Sequence, residues 1–305
     1  MQVSFQLPTR AVKHFEAWAG GHALAELGVA AEEAGFGAVA MTDHPFPPDA
    51  WLAAGGHHAF DPFVALSFLA AATSRVRLLT NLLVAGYRSP WLTAKALASL
   101  DLLSGGRVVV GVGAGYLEPE FAVLGADFAD RGDRVDASLR ALRLAWSGES
   151  VDSDDPHFPA HGHTALPRPT QRPGPPVWIG GNSRRARRRA AELGDGWMPF
   201  EQAEAQAVVT GTDVLSTVAE LAERVGELRT LRRAAGRPET VDVCLAPQGH
   251  ASAQEFADRA GHDADAWATA GVTWLGWESG ARGFESCLAE IALVGSRLAA
   301  PLAAL

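Results

Sequence analysis

Two adjacent side chains, Asp43 and His44, close a short apolar run at residues 38–42. Their types suit proton transfer, because an imidazole titrates near neutral pH and a neighbouring carboxylate can orient it or raise its proton affinity. The plainer alternative is a hydrogen-bonded loop histidine. Further on, Thr80 and Asn81 interrupt an apolar run over residues 76–84. Polar groups inside a buried strand need partners, supplied either by a ligand at the strand end or by a local bulge. Residues 111–115, Gly-Val-Gly-Ala-Gly, present a backbone with few side chains, suited to close approach. Gly180, Gly181, Asn182 and Ser183 precede the helical pattern SRRARRRAAELG. N–H groups at a helix start attract anions, and the arginines in its first turn oppose the helix dipole, a cost that a bound phosphate relieves. Of that run, Arg185, Arg188 and Arg189 are read as a solvated outer face.

Two other chemistries fit less well. The spacing around Gly111, Gly113 and Gly115 is G-x-G-x-G, and the acidic residues about twenty positions on, Asp133 and Asp136, lie in a helical pattern instead of closing a second strand, so a dinucleotide fingerprint is set aside. His157, His161 and His163 have a spacing that could serve a metal, with Asp152, Asp154 and Asp155 nearby. They sit among prolines away from any strand end, and no metal site is expected.

Those residues need strands to carry them. Strands are expected at 3–7, 38–42, 76–84, 107–111, 177–180, 196–199, 241–246 and 272–276, each followed by a helical pattern, among them 62–72, 213–235 and 253–270. Ser89 and Pro90 open the helix that Gly105 and Gly106 end. Near-continuous apolar strands indicate a sheet covered on both faces. Eight strands alternating with helices predict a (β/α)₈ barrel, with an open doubly wound sheet as the alternative. In a barrel the active site lies at the C-terminal strand ends. Residues 1–305 are expected to form one domain, with an insertion at about 147–176 and a long lid or binding loop after His44.

The net charge of −9 argues against a nucleic-acid surface, and no run approaches the eighteen apolar residues of a membrane span. The first twenty residues lack the apolar core of a signal peptide, and two cysteines are too few for a disulfide framework. A cytoplasmic protein with a small-molecule partner is expected.

Taken in order, AEEAGFGAVAMTDH, RVRLLTNLLVAGYRSP, LDLLSGGRVVVGVGAGY, EFAVLGADFADRGDR, PPVWIGGNS and DGWMPF resemble the bacterial luciferase-like monooxygenase family, and within it the deazaflavin (coenzyme F420)-dependent oxidoreductases. The likeness covers about residues 24–200. It implies a TIM-like barrel, a phosphate-bearing deazaflavin or flavin at the C-terminal face, and commonly a homodimer. By position, Asp43 and His44 match the pair beside the deazaflavin ring. Asn81 and Leu82, after Thr80, match a third-strand site where relatives have a non-prolyl cis peptide. Gly113, Gly115 and Tyr116 match a loop along the cofactor, and Gly180, Gly181, Asn182 and Ser183 the loop that helps hold its phosphate. Leu79 and Asn81 depart from the glycines that many relatives carry around a threonine. Tyr116 stands where sugar-phosphate dehydrogenases of the branch use a glutamate, which argues against a sugar-phosphate substrate. The resemblance therefore implies hydride transfer with F420. The alternatives are a two-component FMN monooxygenase fed by a partner reductase, or a non-catalytic flavin-binding barrel.

Overall fold

The computed structural model describes residues 1–8, 18–204, 207 and 211–304; residues 9–17, within the opening stretch scanned for a leader, lie outside the described residues. The strands are β1 (Gln2–Gln6), β2 (Ala38–Met41), β3 (Arg77–Val84), β4 (Val108–Gly113), β5 (Val151–Ser153), β6 (Ala160–His163), β7 (Val177–Gly180), β8 (Gly196–Met198), β9 (Asp242–Leu245) and β10 (Trp274–Glu278). Eight of them close a barrel in the order β1-β10-β9-β8-β7-β4-β3-β2, every pairing parallel. The open-sheet alternative is thereby excluded. Around it run α1 (Gly21–Glu33), α2 (Asp49–Ala53), α3 (Pro62–Ala72), α4 (Pro90–Leu103), α5 (Glu118–Val123), α6 (Arg131–Ser147), α7 (Arg184–Glu192), α8 (Val218–Ala234), α9 (Ala253–Ala270) and α10 (Phe284–Val294).

Alternation along the strands separates two cores. Inward positions form a small cluster of Ala38, Ala40, Leu79, Val109, Trp178, Met198, Cys244 and Trp274. Trp178 and Trp274 meet edge-on within it, with ring centroids 5.3 Å apart. Outward positions such as Val39, Met41, Val110, Ile179 and Leu245 pack under the helices in a much larger cluster. Because side chains plug the barrel, reactants have access only at its ends.

The boundaries move where pairing overrides local pattern. Strand β4 continues past Gly111, because Val112 and Gly113 pair with Leu83 and Val84. Strand β10 runs two residues further than the sequence suggests, pairing Glu278 with Gln6. Helix α8 starts only at Val218, where Thr217 and Glu220 form a capping box. Ser89 occupies the N-cap of α4 but makes no side-chain cap bond. The insertion contains the antiparallel β5–β6 pair, and the loop after His44 contains α2. Among the described residues one helix, Phe284–Ala303, is long and apolar enough on average to cross a membrane, although Glu285, Glu290 and Arg297 interrupt its apolar run. Its Cys287, Ile291, Val294 and Leu298 are buried in the outer core of the barrel.

At the N-terminal end of the barrel, Arg107 directs all five of its guanidinium hydrogens at protein oxygens. Its Nε donates to the Ser104 carbonyl at 2.8 Å. Nη1 donates to Thr73 Oγ1 at 2.8 Å and the Val76 carbonyl at 3.0 Å. Nη2 donates to the Ala70 and Thr73 carbonyls at 2.8 and 3.1 Å. It thus fastens the ends of α3 and α4 to the entry of β3 and β4. Arg107→Met leaves those oxygens without donors and is expected to lower stability by about 3 kcal/mol, given about 1–3 kcal/mol per buried unsatisfied group. A urea midpoint unchanged from the parent protein would show that water replaces the guanidinium at no cost.

Candidate active site

His44 follows β2 at the C-terminal end of the barrel and is 8% exposed. Its orienting carboxylate is not Asp43. Instead, Nδ1 lies 3.1 Å from Oε2 of Glu120, a fully buried residue on α5. Glu120 Oε2 also accepts from the Tyr87 hydroxyl at 2.7 Å, and Oε1 accepts from the Phe46 N–H at 2.9 Å. Burial works against ionisation of Glu120, but the donors His44, Tyr87 and Phe46 outweigh it and hold the carboxyl below the usual glutamate value. The Tyr87 phenol is pushed up, first by burial and then by its bond to Glu120, so it stays a donor. An ionised Glu120 selects the tautomer with hydrogen on Nδ1 of His44 and leaves Nε2 as the basic nitrogen.

Asp43 turns away from His44. It is 1% exposed, and its Oδ1 accepts from Arg88 Nη2 at 2.7 Å while Oδ2 accepts from the Val84 N–H at 3.1 Å. Burial pushes its carboxyl up, against the opposing pull of Arg88. Arg88 Nη1 also reaches Asp61 at 2.9 Å, and Asp61 caps α3 through the N–H groups of Phe63 and Val64.

Thr80 and Asn81 are placed differently. Thr80 is fully buried and its hydroxyl donates to the Gly111 carbonyl at 2.8 Å, within a stretch where the β3–β4 register shifts. It presents nothing to the mouth. Asn81 lines the mouth cavity and donates from Nδ2 to Gln6 Oε1 at 3.1 Å. The Asn81–Leu82 peptide is cis.

Leu82 accounts for the glycines of the neighbouring strands. A Cβ at Gly180 would lie 2.0 Å from Leu82 Cδ1, and one at Gly113 would lie 3.1 Å from the same atom. Their close approach is thus to a side chain of this protein. Gly115, at φ +79°, packs against Val84 and Phe121, and Tyr116 is 55% exposed at the mouth.

In the loop after β7, Gly181 takes φ +105°, and a Cβ there would meet nothing closer than 3.6 Å. The conformation demands glycine, and a side chain there would meet only ordinary contact, with Ala186. Asn182 is 2% exposed and spends its amide on Phe200 and the Asp213 carbonyl. Ser183 caps α7 by accepting from the Ala186 N–H at 3.1 Å. Both side chains are therefore engaged by the protein, and so is the Gly181 peptide, whose N–H donates to the Met198 carbonyl and whose carbonyl accepts from Trp197 Nε1, leaving the first turn of α7 as what this loop offers to an anion. Among the arginines, Arg185 pairs with Asp133 and Asp136, and Arg188 with Glu192. Arg189 departs from the solvated face expected of it: it is 6% exposed, bonded to Asp136 and the Gly132 carbonyl. Arg187 is buried against Asp213 and Glu227. Arg184, the first residue of α7, is exposed.

A cavity of about 370 Å³ opens at the mouth, bounded by Gln6, Thr42, His57, Asn81, Gly276 and Glu278 among others. His44 is not part of its wall. His57 is, and it meets His44 edge-on at 4.9 Å, with Trp51 4.8 Å from the same imidazole and Tyr116 at 6.0 Å. In the insertion, His161 pairs with Asp152 and Asp154 and His157 with Asp130. Among the described residues no group of three or more potential ligands is placed to hold a metal.

Sequence reasoning passed over Glu120 although a signal was present. Leu117, Glu120, Phe121 and Leu124 recur at i, i+3, i+4 and i+7, which puts Glu120 on the buried stripe of its helix. Arg88 left no comparable trace, since its partners lie 27 and 45 residues away.

The closed parallel barrel with a histidine at its C-terminal mouth defines the class, and the family model for luciferase-like monooxygenases matches residues 1–283: the chain belongs to that family. Among curated relatives it is similar to the F420-dependent glucose-6-phosphate dehydrogenase of Kribbella flavida, with 36% identity over 48% of this chain and 44% of the relative. It is similar also to the FMNH(2)-dependent dimethylsulfone monooxygenase of Pseudomonas putida, with 34% identity over 42% of this chain and 36% of the relative. The matches thus span less than half the length of these relatives. Among solved structures, the monooxygenase RslO1 from Streptomyces bottropensis shares the fold, with a TM-score of 0.76 and 23% identity over 98% of both chains.

Because folding depresses the Glu120 carboxyl, its stabilising contribution is complete above the ordinary glutamate value of 4.5 and is lost as pH falls through its lower folded value. Glu120→Gln is expected to cost about 1.5–3 kcal/mol at pH 7, the range for hydrogen bonds to charged groups. The gap between the two proteins should narrow as urea denaturation is repeated at progressively lower pH below 4.5. A pH-independent gap would mean that the ionised carboxylate contributes nothing.

Proposed function

We propose that the protein is an oxidoreductase that moves a hydride between a small organic substrate and a deazaflavin of the F420 type bound at the barrel mouth. One observation carries this: a histidine held by a buried, ionised glutamate beside a mouth cavity whose wall includes Asn81 and Gly276. The residues present fit such a group. The start of α7, where Ser183 is the N-cap and Arg184 is exposed, suits a phosphate, and the cavity suits a flat ring and substrate.

When bound, the ring supplies the carbon that accepts or donates hydride. The matching proton needs a group on the protein, and His44 is the one whose chemistry suits it. Glu120 accepts from Nδ1 and keeps the imidazole oriented, while Tyr87 stabilises the carboxylate. A proton taken on Nε2 creates an imidazolium next to that carboxylate, where it is stabilised electrostatically. In this proposal residues 1–305 act as one cytoplasmic domain, the unit of a homodimer as the family resemblance implies, with no nucleic acid or membrane as partner.

The curated relatives named above include both an F420-dependent and an FMNH(2)-dependent enzyme. An FMN monooxygenase served by a partner reductase is therefore the second reading. Titrating the protein with oxidised deazaflavin and, separately, with FMN distinguishes them by ring fluorescence. The deazaflavin should bind at least about tenfold tighter, a difference of about 1.4 kcal/mol. His44→Ala should bind it equally well while turnover falls about a hundredfold, the usual scale for general acid–base groups. FMN binding tighter by that margin would replace hydride transfer with oxygen-dependent chemistry.

A further inference from the structure

We propose that residues 47–60 form a lid over His44, latched by Trp51 and closed in this structure. Its two stems are fixed. At one end the Phe46 N–H donates to buried Glu120, and at the other Asp61 is held by Arg88 and by the start of α3. Ala59 and Phe60 pack on the outer core beside the Asp61 stem, and before them the segment is organised largely by its own contacts. Helix α2 has no buried residue, Gly55 turns the chain at φ +96°, and Gly56 lies so close to the Trp51 ring that a Cβ would fall 2.3 Å from it. A loop with fixed ends and packing of its own is a compact unit.

The face that this unit presents to the barrel is aromatic. Trp51 and His57 pack on each other at 5.2 Å and both on His44, and Trp51 also faces Tyr116 at 6.5 Å. Contacts of this kind are individually weak, enough to favour one position and little enough to be exchanged for contacts with a ligand. The latch explains why His44 is absent from the cavity wall while His57 belongs to it. Lifting the lid joins the imidazole to the cavity. Glu120 links the two parts, because one oxygen holds the lid stem and the other holds His44.

The inference rests on His44 as the proton-handling group, and it is tested by access to that imidazole, independently of turnover. Diethyl pyrocarbonate labels neutral histidines, and mass spectrometry reads each site. The His262 side chain, 87% exposed, is the internal standard. In the parent protein His44 should react at least about tenfold more slowly than His262, as expected of a site that reacts through local opening. Trp51→Ala removes the latch and Gly56→Ala displaces it, so each should accelerate His44 labelling about fivefold or more with His262 unchanged and the melting temperature kept. Trp51→Phe should retain protection. Amide exchange in the unaltered protein provides a readout free of folding defects, with residues 47–60 exchanging faster than α3. Equal His44 labelling in the parent protein and both latch variants, or exchange in 47–60 as slow as in α3, overturns the lid. A His44→Ala protein of undiminished turnover would sink the catalytic reading and leave the labelling result standing.

Discussion

A single carboxylate organises the mouth of this barrel. Glu120 has no exposed surface, so ionisation is costly unless donors surround it, and three do: the His44 ring, the Tyr87 hydroxyl and the Phe46 N–H. These come from the end of β2, the turn after β3 and the base of the long loop, and the glutamate itself comes from the helix after β4. Removing a buried acceptor strands every donor that faces it. The same residue therefore joins three successive strand ends and determines which nitrogen of His44 is basic.

A second buried carboxylate does parallel work one step outward. Asp43 fixes Arg88, Arg88 fixes Asp61, and Asp61 starts α3. Tyr87 and Arg88 are neighbours in sequence, yet one serves the glutamate and the other serves the aspartate pair. Stem positions of the long loop are thus set by two charged networks that meet at one turn. Its middle is held by weaker contacts, the aromatic ones of Trp51 and His57 on His44 among them. Strong polar anchoring at the ends and weak apolar contact between them is the arrangement expected where rigid geometry and ligand access must coexist.

Much of the fold was legible because parallel barrel strands are short, apolar and punctuated by turns. Strand β7 and helices α3 and α9 have the limits that the sequence predicts, and β4, β10 and α8 shift where partner strands or a capping box decide the boundary. The site was legible in its position and less so in its wiring. His44 could be singled out from its place at a strand end, but its carboxylate lies 76 residues on and was visible only as a charged residue on an apolar stripe. Adjacency misdirected attention to Asp43, which the fold rotates toward Arg88. The glycines illustrate a similar ambiguity: a bare backbone is equally suited to a cofactor and to a neighbouring side chain, and at Gly113 and Gly180 the neighbour is Leu82. Asn182 and Ser183 look like ligand groups in one dimension and prove to be a loop bridge and a helix cap.

The dependence of His44 on Glu120 is open to direct observation. In ¹⁵N-histidine-labelled protein, long-range ¹H–¹⁵N correlation spectra distinguish the two neutral tautomers of each imidazole. At a pH where the His44 ring is neutral, its signal should report hydrogen on Nδ1 in the parent protein, and Glu120→Gln should abolish that preference while the other histidines keep theirs. A His44 ring protonated on Nε2, or a pattern indifferent to the substitution at Glu120, would contradict the account.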